Sequence, residues 1–126
     1  MSEHTEQVAL FQWASTRATM LPELAYLFAV PNGARRSKRE RGIKLGEGLK
    51  AGVPDLCLPV ARQGRHGLWL EMKISTGRVT ENQTRWLAWL EGQGYRAEIC
   101  RSWQAAAEVI EDYMGVPLAR RTDFFE

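Results

Sequence analysis

The chain has few of the residues that cross-link or chelate. Among 126 residues there are two cysteines and two histidines. Cys57 and Cys100 both fall inside apolar, strand-like runs, which reads as two buried, reduced thiols in a cytoplasmic protein rather than a disulfide framework. Together with His4 and His66 they show no recognised zinc-ligand spacing. No apolar run approaches a membrane span, so no membrane association is expected. The start, Met1 to Glu6, is polar and acidic and lacks the pattern of a signal peptide. Internal repeats, low-complexity tracts and linkers are absent too. What is left is the composition of one ordinary domain, 44% hydrophobic and 25% charged, long enough for a sizeable core.

Charge is unevenly placed. The net charge is only +2, yet Arg35, Arg36, Lys38, Arg39, Arg41, Lys44 and Lys50 stand against Glu40 and Glu47. That segment carries +5 and the rest of the chain −3. Polyanions respond to such a local field more than to the total. A solvated face is the plain alternative.

Apolar periodicity predicts a helix from His4 to Arg17, a break at Pro22 and a short turn over Glu23–Tyr26. Tyr26–Val30 reads as a strand, ended by the turn signal Pro31-Asn32-Gly33. Residues 34–48 read as a basic, glycine-punctuated segment with one helical stretch, Arg35 to Leu45. Two strands follow, Asp55–Val60 and Leu68–Ile74. Thr80 to Gln83 resembles a capping box opening a helix to about Gly92. Tyr95–Arg101 is the next strand, and Ser102 caps a last helix to about Met114. This order predicts an α/β fold with a mixed sheet of about four strands flanked by helices. The tail from Ala119 is left unassigned.

The informative stretch runs from Gly52 to Lys73. Read as a hairpin, it opens with Asp55 and carries Glu71 and Lys73 late on its second strand. Alternation puts Glu71 and Lys73 on one face, roughly 6–7 Å apart, with Leu70 and Met72 on the other. Two acids and a lysine on one edge of an apolar hairpin are costly unless something binds there. A divalent cation and a phosphate satisfy that chemistry. Mg²⁺ takes oxygen ligands and is usually held by one or two carboxylates, so Asp55, Glu71 and the Met72 carbonyl are its candidate ligands. Lys73 is placed to orient the attacking water and offset charge on the phosphate. Singly, each residue has a plainer explanation: Asp55 as a turn acid, Glu71 and Lys73 as a solvated strand face.

These residues match a family. Glu6, Pro31-Asn32-Gly33, Lys50, Gly52-Val53-Pro54-Asp55-Leu56, Leu70-Glu71-Met72-Lys73, Thr80-x-x-Gln83-x-x-Trp86-Leu87-x-x-Leu90 and Gly94-Tyr95 occur in that order. From Glu6 to Tyr113 the chain resembles the PD-(D/E)xK nucleases, and most closely their VRR-Nuc branch of viral replication and repair nucleases. The resemblance implies a restriction-endonuclease-like core and Mg²⁺- or Mn²⁺-dependent hydrolysis of DNA. It also implies the homodimers and four-way-junction cleavage of short phage-type members. It makes Asp55 and Glu71 metal ligands, Lys73 the catalytic lysine, Glu6 an acid reaching in from the first helix, and Gln83 a supporting side chain. Glu3 competes with Glu6, and Gln83 has capping as its plainer role. Beside such a site the basic segment (Arg35, Arg36, Lys38, Arg39, Lys44, Lys50) becomes a phosphate-contacting surface, Lys50 nearest the scissile phosphate. No helix-turn-helix or zinc finger is present to read base edges. The expected substrate is therefore junction or branched DNA recognised by shape. Plain duplex or single-stranded DNA is the enzymatic alternative, and a catalytically silent DNA-binding module the non-enzymatic one. Four of the five tryptophans fit core or interface packing better than base stacking. Trp89, off the inward stripe of its helix, is a candidate for a subunit interface.

Overall fold

The computed structural model describes residues 2–31 and 38–122, without the side chains of Lys38, Arg41 and Lys44. Helix α1 (Glu3–Arg17) is capped by Ser2, whose hydroxyl accepts from Thr5 N at 3.1 Å, with Glu3 and Glu6 in the first turn and Arg17 in the last. That charge order suits the helix dipole. After α1 come a 3₁₀ turn (Pro22–Tyr26), β1 (Phe28–Ala29), α2 (Lys38–Gly46), β2 (Leu56–Leu58), β3 (Leu68–Met72), α3 (Glu81–Gly92), β4 (Arg96–Cys100) and α4 (Trp103–Tyr113).

The sheet order is β1-β2-β3-β4, antiparallel for the first two pairings and parallel for β3 with β4. A parallel pair needs a crossover, and α3 supplies it. Leu68, Leu70 and Met72 of β3 pack with Leu10 and Ala14 of α1 and Ala106 and Ile110 of α4 in the core. On the alternate face of β3, Glu71 accepts from Gln83 of α3 and Trp69 packs edge-on against Tyr95. Both cysteines are buried and free, and burial pushes the Cys57 thiol to about 11 and the Cys100 thiol to about 12. No helix among the described residues is long and apolar enough to cross a membrane.

The predicted strand over Tyr26–Val30 contracts to two residues. Pro22 fixes a φ that starts a 3₁₀ turn, and the turn runs through Tyr26, which is left exposed. Pairing to β2 begins only at Phe28, and Val30 N still donates to the Asp55 carbonyl at 2.7 Å. The hairpin strands are also shorter than predicted, although Lys73 N continues the ladder to Cys100 O at 2.9 Å. The helical stretch of the basic segment is α2, displaced toward its glycine end. Asn32, Gly33, Arg35 and Arg36 lie outside the described residues.

As far as Thr122, the tail is held against α1 and α4. Glu111 of α4, fully buried, accepts from Arg17 at 3.0 and 3.3 Å and from the backbone N of Thr122 at 3.1 and 3.3 Å. Trp13 Nε1 donates to the Thr122 hydroxyl at 3.1 Å. A short 3₁₀ turn (Leu118–Arg120) is thereby fastened across α1 and α4.

Candidate active site

Asp55, Glu71 and Lys73 line one cleft of about 490 Å³. Around them stand Glu3, Lys50, Gly52, Thr80, Asn82 and Gln83. The strand register explains the arrangement. Gly67 O accepts from Arg96 N and Lys73 N donates to Cys100 O, so odd positions of β3 bond to β4. Even positions therefore turn to β2, where Leu70 opposes Leu56 and Leu68 opposes Leu58. One step further, Met72 would oppose Pro54, which has no N–H to give. The Met72 N–H donates instead to Asp55 Oδ2 at 2.8 Å, and the Met72 carbonyl faces a proline that cannot pair with it. The Pro54-Asp55 sequence thus ends the β2–β3 ladder and fixes a carboxylate there.

Glu71 is 2% exposed. Gln83 Nε2 donates to its Oε2 at 3.1 Å, while Oε1 is buried without a donor. Burial first, then the charge of Asp55 and a hydrogen bond to it, push the Glu71 carboxyl up to about 8; Lys73 pulls the other way and Glu3 adds to the rise. As a carboxylic acid, Glu71 can donate to Asp55. As a carboxylate it faces a second carboxylate with one oxygen unpaired. A proton or a cation resolves that conflict.

Gln83 bonds at both ends of its side-chain amide. Its Oε1 accepts from Thr80 N at 2.9 Å and its own N donates to Thr80 Oγ1 at 3.2 Å, closing the capping box. The other end of the same amide holds Glu71. Gly52 lets α3 come this close: it sits at φ +91°, and a Cβ there would lie 2.6 Å from the Asn82 carbonyl carbon.

Of the two α1 acids, Glu3 lines the cleft and acts on Glu71. Glu6 is buried, with Oε2 lacking a donor, and is not among the residues lining the cleft. Both sit in the first turn, and the sequence could not rank them. Lys50 lines the cleft and Arg39 is exposed on α2. Lys38 and Lys44 are placed only as backbone positions of α2.

The donor set fits Mg²⁺ or Mn²⁺: two converging carboxylates, an orphaned buried oxygen and a carbonyl off the end of the ladder. Among the described residues no three His, Cys, Asp or Glu side chains gather as metal ligands, so protein carboxylates at this site would supply only part of a coordination shell.

Comparisons with known proteins give the family and the fold. A solved structure described as a VRR_NUC domain protein matches with a TM-score of 0.78 at 25% identity, over 92% of this chain and 90% of that one. No curated protein matches the sequence. The model of the VRR-NUC domain family matches residues 2–104. The chain belongs to the VRR-NUC domain family and is a nuclease of the PD-(D/E)xK type.

Proposed function

We propose that the chain is a Mg²⁺- or Mn²⁺-dependent endonuclease that hydrolyses DNA phosphodiesters at the Asp55–Glu71–Lys73 cleft. The observation that carries this is the buried Glu71 carboxyl, held by Gln83 on one oxygen, orphaned on the other, and set against Asp55. Asp55, Glu71 and the Met72 carbonyl would hold the cation, with Glu3 at the cleft wall and Glu6 behind it. A divalent cation supplies charge neutralisation at the phosphate and acidifies water. Asp55 keeps its orientation through the Met72 N–H, and Glu71 through Gln83. Lys73 brings a positive charge to the same cleft, suited to orienting the attacking water and offsetting charge on the phosphate. Lys50 at the cleft and the basic residues of α2 and the segment before it draw in the DNA backbone without reading sequence.

Junction or branched DNA is the proposed substrate, and a homodimer the proposed assembly. Two symmetric sites place paired nicks across a two-fold substrate, as a lone monomer's single site cannot. A panel of labelled four-way junction, flap, duplex and single strand, with Mg²⁺, with Mn²⁺ and with EDTA, tests this reading. Cleavage is expected with metal only, fastest on the junction. Equal rates on all four substrates would remove the junction preference. Binding without cleavage in either metal would leave a DNA-binding module. Lys73→Ala should slow cleavage by about 10²–10³-fold or more while metal binding by calorimetry is retained.

A further inference from the structure

Helix α3 carries a second feature. Arg85, Trp86 and Trp89 line a hollow of about 330 Å³ on its outer side. Trp89 is 62% exposed, unusual for the largest apolar side chain unless a partner covers it. Arg85 is exposed, and among the described residues no carboxylate lies within ion-pair distance of it. No acid is among the residues lining the hollow.

Position along the helix ties this hollow to the cleft. Asn82, Arg85, Trp86 and Trp89 follow i, i+3, i+4, i+7 spacing and so form one ridge. Asn82 at its start lines the catalytic cleft. Seven residues of helix span about 10 Å, the rise of about three nucleotides at 3.4 Å each. A strand leaving the cleft along this ridge meets two indole rings and a guanidinium. An exposed indole flanked by a half-buried one and by an Arg with no carboxylate in ion-pair reach has the chemistry of base stacking, in which any base can take part.

We infer that the Arg85–Trp86–Trp89 hollow receives an unpaired nucleobase of the DNA strand a few nucleotides from the scissile bond. The inference rests on the nuclease reading of the cleft, which brings a DNA strand beside α3. It would let that site hold a base that leaves its stack at a junction or branch point, in addition to the fit to the shape of the arms. A fully paired duplex keeps its bases stacked inside and leaves the hollow unfilled.

Binding measured in EDTA tests the hollow without cleavage. The probes are a short oligothymidylate, the same backbone built of abasic units, and a blunt duplex. Alanine loss of a base stack costs about 1–3 kcal/mol, so Trp89→Ala should weaken oligothymidylate about fivefold to a hundredfold and leave the other two within about twofold. Trp89→Phe should recover most of the loss, and oligothymidylate should quench the wild-type indole fluorescence. Equal losses on all three probes, or no loss on any, would overturn the inference. So would a Trp89→Ala variant whose sedimentation mass drops from dimer to monomer, since the indole would then be covered by a second copy. A wild type that cuts no DNA in Mg²⁺ or Mn²⁺ yet shows Trp89-dependent base binding would sink the nuclease reading and keep the hollow. Cleavage indifferent to Trp89, with base-independent binding, would do the reverse.

Discussion

Glu71 makes the metal-free protein sensitive to alkali. Its carboxyl is raised from 4.5 to about 8 by burial and by Asp55. Between those values the folded chain holds a proton that the unfolded chain has released, so the stability this carboxyl contributes is fully present below about 4.5 and is lost as pH rises through about 8. At about 1.4 kcal/mol per pH unit, that window caps the loss near 5 kcal/mol. The site opens into a cleft, and entering water relieves part of the cost, leaving a loss of a few kcal/mol. With an unfolding entropy of about 2.1 cal/mol/K per residue, each kcal/mol is worth about 4 °C in a chain of this length. The melting temperature of metal-free wild type should thus fall by roughly 10 °C between about pH 5 and 9 beyond any change common to its variants. Glu71→Gln is the control. It copies the protonated acid, accepting from Gln83 and donating to Asp55, so its profile should lack this decline. Millimolar Mg²⁺ or Mn²⁺ should restore wild type at pH 9 by taking the proton's place between the carboxylates, and should leave Glu71→Gln nearly unmoved. Thermal denaturation of both proteins, with EDTA and with metal, reads all of this. Parallel profiles in EDTA would refute the assignment of Glu71 as a strained, proton-holding carboxyl.

The remaining predictions concern how the site is held. Gly52→Ala puts a Cβ 2.6 Å from Asn82 backbone at φ +91°; it should cost about 1–2 kcal/mol for the backbone alone and more for the clash. Moving α3 off Glu71 should also weaken metal binding, and calorimetry showing unchanged affinity would refute the coupling. Glu111→Ala leaves Arg17 and the Thr122 amide without their buried acceptor and should destabilise by about 3–5 kcal/mol, measured by urea denaturation; a loss under about 1 kcal/mol would count as failure. Arg39→Ala with Lys50→Ala should lower the salt dependence of DNA binding by a slope of up to about two in log K against log salt. An unchanged slope would place the phosphate path elsewhere.

Much of this was written in the residues themselves. Capping signals at Thr80 and Ser102, apolar alternation on the hairpin and helical spacing on α1 and α4 are local, so element type and order followed from the chain. So did the face shared by Glu71 and Lys73, because a strand's period is two. Local signals could not set the extent of β1, since Tyr26–Val30 is apolar throughout and only Pro22 and the partner strand decide where pairing starts. Nor could they rank Glu3 against Glu6, which occupy the same helical turn and differ only in what lies across from them. Gln83 was ambiguous for the same reason: the capping box is local, whereas the hydrogen bond to Glu71 exists only once α3 lies across β3. Glu111 gave no warning, because a charged residue in an amphipathic helix looks solvated until Arg17 and Thr122 arrive from opposite ends of the chain. Sequence alone decided the identity and order of the proposed site residues, for these depend on neighbours a few residues away. Tertiary structure alone decided the proximity of Asp55 to Glu71, the elevated carboxyl and the orphaned oxygen. Those arise from burial and from contacts between residues distant along the chain, which no local pattern records.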